Sequence, residues 1–159
     1  MISKKLTKAL TEQIGHEFAA SHSYLGVAVY FAHRSLDKWA AFFSAQAEEE
    51  RQHALKIVHF LTDVGAEFSL APVPEAKTKF ASAKAAVKAA LKSEQGVSAQ
   101  FHAMAETALK EKDYTSLQFL QWFIEEQVEE EALMGEVLDI LEGVENPFLA
   151  EPLLPGRKE

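Results

Sequence analysis

Four segments of about 30 residues each carry an apolar stripe at helical spacing, and in every one a carboxylate interrupts the stripe near its midpoint. The segments are read as helices over 3–33, 37–64, 79–111 and 114–142. Glu17 stands between Leu10 and Tyr24, Glu50 between Phe43 and Ile57, Glu94 between Val87 and Phe101, and Glu130 between Phe123 and Val137. Stripes of this kind face a bundle core. Helices of equal length meet at their midpoints whichever way they run, so the four carboxylates, with His53 and Gln127 on the same faces, converge on one small volume.

The joints set the topology. The turn at 33–36 is short, with Ser35 or Asp37 available to cap the second helix, and Lys112-Asp113 is shorter still, with Asp113 as N-cap. Gly143 fits a helix stop. The second joint, 65–78, contains Pro72 and Pro74. Fourteen extended residues reach about 45 Å, one length of a 30-residue helix. This predicts an all-α four-helix bundle: two antiparallel hairpins joined by one long crossover between helices 2 and 3. The bundle is expected over 1–143, followed at 144–159 by a tail in which Pro147, Pro152 and Pro155 argue against a helix. That tail still has Phe148, Leu149, Leu153 and Leu154 to bury, and docking on a neighbour as an extended segment is one way to do it.

Four ionised carboxylates in a dry core are not tolerable unaided, because burial and mutual repulsion both oppose their charge. Two divalent cations cancel them. His53 lies three residues after Glu50, on the same face, so the pair can hold one ion while Glu50 reaches a second. An oxygen-rich set with one imidazole suits iron or manganese better than zinc or copper. The ligands lie on helices, so this is no calcium loop.

Composition removes other classes. The 159 residues include no cysteine, which excludes disulfides, thiolate iron–sulfur sites and cysteine nucleophiles. With 16 Lys and Arg against 24 Asp and Glu, the charge is −8, and no basic run tracks a phosphate backbone, so nucleic acid is not an expected partner. No 18-residue apolar stretch exists and the N-terminus has no apolar leader, so no membrane association is expected and the expected compartment is the cytoplasm.

The segments Ala47-Glu48-Glu49-Glu50-Arg51-Gln52-His53 and Phe119-Leu120-Gln121-Trp122-Phe123-Ile124-Glu125-Glu126-Gln127-Val128-Glu129-Glu130-Glu131 resemble the motifs of ferritins, most closely prokaryotic non-haem ferritins, over about residues 5–142. The resemblance implies iron storage with ferroxidase activity at an intrasubunit di-iron centre. Glu17, Glu50 and His53 would hold one iron, and Glu50, Glu94 and Glu130 the other, with Gln127 beside them as an outer or weak ligand. Tyr24 would stand next to the site as an electron donor, or serve simply as a buried aromatic. Glu49, Glu126, Glu129 and Glu130 match a third iron site of bacterial members, the alternative being a solvated acidic face. Trp122 is expected in core packing. Fe(II) with oxygen or hydrogen peroxide would be the substrates, and a homo-oligomeric cage of 24 subunits the assembly.

Departures from relatives matter too. Gln127-x-x-Glu130 replaces the Glu-x-x-His pair of haem-binding bacterioferritins and Gln52 stands near the position of their haem methionine, so no haem is expected. Leu117 and Leu120 stand where animal ferritins line an acidic pore. The proline-rich tail replaces the usual fifth helix and supports an alternative: a small-oligomer dimetal oxidase or peroxidase that stores nothing. A bundle with vestigial core carboxylates is a third reading. His16, His22, His33, His59 and His102 lack any paired constellation and are expected at the surface or its boundary.

Overall fold

The computed structural model describes residues 1–156. Four long helices, α1 (Lys4–Ala32), α2 (Asp37–Asp63), α3 (Ala83–Lys110) and α4 (Tyr114–Gly143), precede a short α5 (Pro147–Ala150) and a 3₁₀ turn, Glu151–Leu153. Strands are absent among the described residues. α1 packs on α2 and α3 on α4 as antiparallel hairpins, and the segment between α2 and α3 is the crossover. No described helix is long and apolar enough to cross a membrane.

Side chains begin most of these helices. The Ser3 hydroxyl accepts from Leu6 N at 3.1 Å, that of Ser82 from Ala85 N at 3.0 Å, and the Asp113 carboxylate from Ser116 N at 2.9 Å. Asp113 is thus the cap its spacing predicts. Helix α3 starts at Ala83, four residues later than the apolar period suggests, because Ser82 is extended and caps it. Phe80 belongs to the crossover and packs edge-on against Tyr30 at 5.5 Å. Neither Ser35 nor Asp37 caps α2. Ser35 is in the left-handed region (φ 58) to close the hairpin, and the N-cap position falls to Leu36, which has no capping side chain. The cap comes from the tail instead: Glu151 Oε1 accepts from Lys38 N at 2.8 Å.

The crossover leaves α2 through Gly65, whose φ of +73 is left-handed, and Ala66 N donates back to Leu61 O at 2.9 Å. It then runs against α1 at Gly26, where a Cβ atom would land on the Lys77 carbonyl.

The tail corrects the expectation of a non-helical segment. Pro147 and Pro152 occupy opening positions of helical turns, where a missing N–H costs nothing. Asn146 starts α5 by accepting from Phe148 N at 3.0 Å. The segment folds back on its own bundle: Trp39 Nε1 donates to Pro147 O at 2.9 Å and Ala150 is fully buried. Phe148, Leu149 and Leu153 remain exposed. The last three residues of the tail, 157–159, lie outside the described residues.

The apolar core is in two parts. One gathers Tyr24, Phe31, Trp39, Phe43, Val87 and Val137 with the tail's Ala150. The other gathers Leu6, Leu10, Ile57, Phe101, Leu120 and Phe123. Stacked rings stiffen each part, with Phe31 sandwiched by Trp39 (4.9 Å) and Phe43 (5.6 Å), and Phe101 on Phe123 at 4.5 Å. Buried polar side chains come from all four long helices: Gln13, Glu17, Gln46, Glu50, His53, Glu94, Ser98, Gln127 and Glu130.

Candidate metal centre

The mid-helix carboxylates meet as their register requires. Glu17, Glu50 and His53 each offer one ligand atom within 4.8 Å of the others, and so do Glu50, Glu94 and Glu130. Glu50 is common to both groups. His53 Nδ1 lies 3.1 Å from Glu50 Oε2 and 3.8 Å from Glu17 Oε2. All five residues are buried, at 4% exposure or less.

Amides and one phenol orient the carboxylates. Gln13 Nε2 donates to Glu17 Oε1 at 3.0 Å, Gln46 Nε2 to Glu130 Oε2 at 2.9 Å, and Gln127 Nε2 to Glu94 Oε2 at 2.9 Å. The Tyr24 hydroxyl donates to Glu94 Oε1 at 2.7 Å. Gln127 Nε2 also lies 3.3 Å from Ser98 Oγ, which itself donates to Glu131 Oε2 at 2.6 Å. Three buried oxygens in this layer accept no hydrogen bond of good geometry: Glu17 Oε2, which faces His53 Nδ1 at 3.8 Å, Glu50 Oε1 and Gln127 Oε1. A buried acceptor left unmade costs about 1–3 kcal/mol. Glu17 and Glu50 belong to one three-residue group whose ligand atoms lie close enough to hold a cation.

Without a cation the layer takes up protons. Burial, with Glu94 and Glu17 nearby, pushes the Glu50 carboxyl well above its usual range. Burial also raises Glu17, and burial together with Glu94 pushes Glu130 up to about 9. For His53, burial works against the imidazolium, but Glu126 and Glu17 outweigh it and the pKa rises. Burial and the Glu94 charge hold the Tyr24 phenol protonated. Two divalent ions would replace these protons with fixed charge, which is the chemistry the donor set fits.

Beyond this layer, His53 Nε2 lies 3.6 Å from Glu126 Oε1, and His53, Glu126 and Glu130 form a third group able to hold an ion. Glu49 is half-buried and interacts with Glu130, while Glu129 is exposed, and neither belongs to that group among the described residues. His16, His22, His33, His59 and His102 are all exposed and outside every such group. Trp122, expected in the core, is 38% exposed; its ring meets His53 edge-on at 5.6 Å and carries Lys56 Nζ at 3.9 Å from its centroid. The roles of Gln13 and Gln46 were not visible in advance. The only signal is spacing, since each stands one helical turn before a site carboxylate, Glu17 and Glu50 respectively.

A model of the ferritin-like domain matches residues 7–144. The chain belongs to the ferritin family. A bacterial non-heme ferritin of Staphylococcus haemolyticus is 40% identical over 141 residues, covering 89% of this chain and 85% of its own. One from Staphylococcus aureus (strain MRSA252) is 41% identical over 133 residues, covering 84% and 80%. Among solved structures, this ferritin superposes on a humanized archaeal ferritin with a TM-score of 0.94 at 30% identity over 99% of this chain and 98% of that one. It superposes on the open pore ferritin of Archaeoglobus fulgidus with a TM-score of 0.93 at 32% identity, covering 98% of each chain.

Proposed function

We propose that this ferritin oxidises Fe(II) at the buried centre and stores the Fe(III) product as a mineral inside a homo-oligomeric cage of 24 copies, in the cytoplasm. Glu17, Glu50 and His53 hold one Fe(II); Glu50, Glu94 and Glu130 hold the second, and Glu50 bridges them. The observation that carries this reading is the pair of buried three-residue groups that share Glu50, set in an amide-clamped carboxylate layer. The membership of the ferritin family supports it.

The electron balance follows from the pair. Each Fe(II) gives one electron. Dioxygen accepts two, with two protons, and leaves as hydrogen peroxide; peroxide as oxidant accepts two, with two protons, and leaves as two waters. Protons displaced from Glu17, Glu50 and Glu130 on ion binding are released before the chemistry. Gln13, Gln46 and Gln127 keep the carboxylates aimed. Tyr24, whose hydroxyl donates to Glu94, holds that ligand in place from outside the ligand set. Glu49, Glu126, Glu129 and Glu130 hold a third iron and hand Fe(III) toward the cage interior.

Light scattering before and after aerobic Fe(II) loading, with iron counted per chain, tests the proposal. The expected particle contains about 24 copies of the 17.7 kDa chain and retains many irons per chain. A small oligomer holding two or three irons per chain would overturn storage and leave a dimetal oxidase.

A further inference from the structure

On the α1/α3 side of the bundle lies a pocket that the reading above does not use. Its volume is about 200 Å³, and Tyr24, Val27, Lys77, Phe80, Ala89 and Ala90 are among its walls. It is a built feature. The crossover is pinned where Lys77 O closes on Gly26, and Tyr30 holds the Phe80 ring edge-on at 5.5 Å, so Lys77 and Phe80 stand over the cleft. The inner wall is Tyr24, which is buried and whose hydroxyl donates to Glu94 at 2.7 Å.

Charge separates this side from the other. Ser23, Ser93 and Lys77 are the polar residues of the lining, and the Lys77 ammonium, 5.0 Å from the centroid of the Phe80 ring, repels a cation on this side. The half-buried Glu49 and Glu126 belong to the α2/α4 side. A dry apolar cavity of about 150 Å³ is known to take up xenon or benzene rather than water. This pocket is larger and partly open, and Val27, Phe80, Ala86, Ala89 and Ala90 give it the carbon surface on which an apolar gas, and not a hydrated ion, partitions.

We infer that the Tyr24 pocket is the dioxygen antechamber of the centre, so that the oxidant reaches it from the α1/α3 side, apart from the acidic α2/α4 side that handles the iron. The inference rests on the ferroxidase reading. Tyr24 is then the door between pocket and ligands: its ring lines the one, and its hydroxyl binds the other.

The test uses the assembled protein and Ala89→Trp, a substitution at an exposed helical position that fills the mouth. Xenon-pressurised crystals of the wild type are expected to show the gas against Tyr24, and those of the variant to lack it. In the variant the KM for dioxygen should rise about fivefold while kcat at saturating dioxygen is kept. Oxidation by hydrogen peroxide, a polar oxidant with no preference for an apolar pocket, should be unchanged. An unchanged KM for dioxygen in a variant that excludes xenon refutes the route, as does a wild-type pocket that takes no xenon or an equal slowing with peroxide. A wild type that binds xenon here but oxidises no Fe(II) refutes the ferroxidase reading instead.

Discussion

The four-carboxylate layer makes the stability of the metal-free protein depend on pH in a direction opposite to that of most salt-bridged folds. Glu130 titrates near 9 in the folded chain against an ordinary 4.5. Between those values the folded state binds more protons than the unfolded one, so stability falls as pH rises. His53 acts in the same direction, because its raised pKa gives stability that is present below its unfolded pKa and lost as pH passes the folded one. A fully differential group contributes about 1.4 kcal/mol per pH unit. From pH 6 to pH 8, Glu130 alone therefore removes up to about 3 kcal/mol. For a chain of this length each kcal/mol shifts the melting temperature by about 2–4 °C. Scanning calorimetry of chelator-treated protein at fixed chain concentration, comparing wild type with Glu130→Gln, isolates the contribution. The wild-type Tm should fall by about 5–10 °C more than that of the variant across this interval. With Co(II) bound the dependence should reverse, because the ions displace the protons and binding strengthens as pH rises. A metal-free wild type whose Tm is flat or rising relative to Glu130→Gln would refute the claim that protons stand in for cations in this layer.

Four other outcomes follow from the geometry. Glu50→Ala removes the carboxylate common to both ligand groups, so Co(II) titration should find fewer than two ions per chain, and Fe(II) oxidation at low iron should fall about 100-fold or more. Tyr24→Phe deletes the donor to Glu94 while keeping the ring, so stopped-flow traces should show a slower oxidation phase with two-ion binding intact. Gly26→Ala drives a methyl group into the Lys77 carbonyl and should cost about 1–3 kcal/mol, whereas Gly96→Ala, which meets open space within this chain, should add up to about 1 kcal/mol; urea denaturation of the two variants reads the contrast. Glu151→Ala takes away the only side-chain cap seen on α2 and should lower stability by about 1 kcal/mol, a loss that Glu151→Gln largely restores.

The bundle and its ligand set were legible because both depend on one period. A residue at mid-stripe on a helix of known length has its depth and its face decided by spacing alone, so Glu17, Glu50, Glu94 and Glu130 could be placed together without any tertiary information. What spacing does not decide is how far each helix is rotated about its axis. Gln46 bonds Glu130 across the bundle, and Gln127 bonds Glu94 across its own hairpin. Both belong to stripes that read as core, and nothing local says which carboxylate an amide will face. The tail failed for a related reason. Prolines predict where a helix cannot continue, but a turn that opens on proline is permitted, and its seat on Trp39 and Lys38 is a contact between segments more than 100 positions apart. The same blindness put the start of α3 too early, since Phe80 keeps the helical period although it packs from the crossover, before the cap at Ser82.

The amides also resolve a difficulty in the site itself. A layer built of carboxylates alone would relax in the metal-free state, with each group turning outward or pairing with its neighbour through a proton, and the ligand geometry would have to be rebuilt at every binding event. Gln13, Gln46 and Gln127 limit this for Glu17, Glu130 and Glu94, because each donates to one carboxylate oxygen and carries no charge, so it holds the group in place while offsetting its charge far less than a cation would. Glu50, which no amide holds, is left to share protons with Glu17 and Glu94. A lysine or arginine in any of these positions would neutralise the carboxylate and compete with the ion for it. Neutral donors therefore fix three of the four carboxylates and leave the charge of the layer to be met by protons or by cations. That combination suits a site whose occupant is substrate: the ions must enter a formed cage of ligands, lose electrons there, and leave it formed for the next pair.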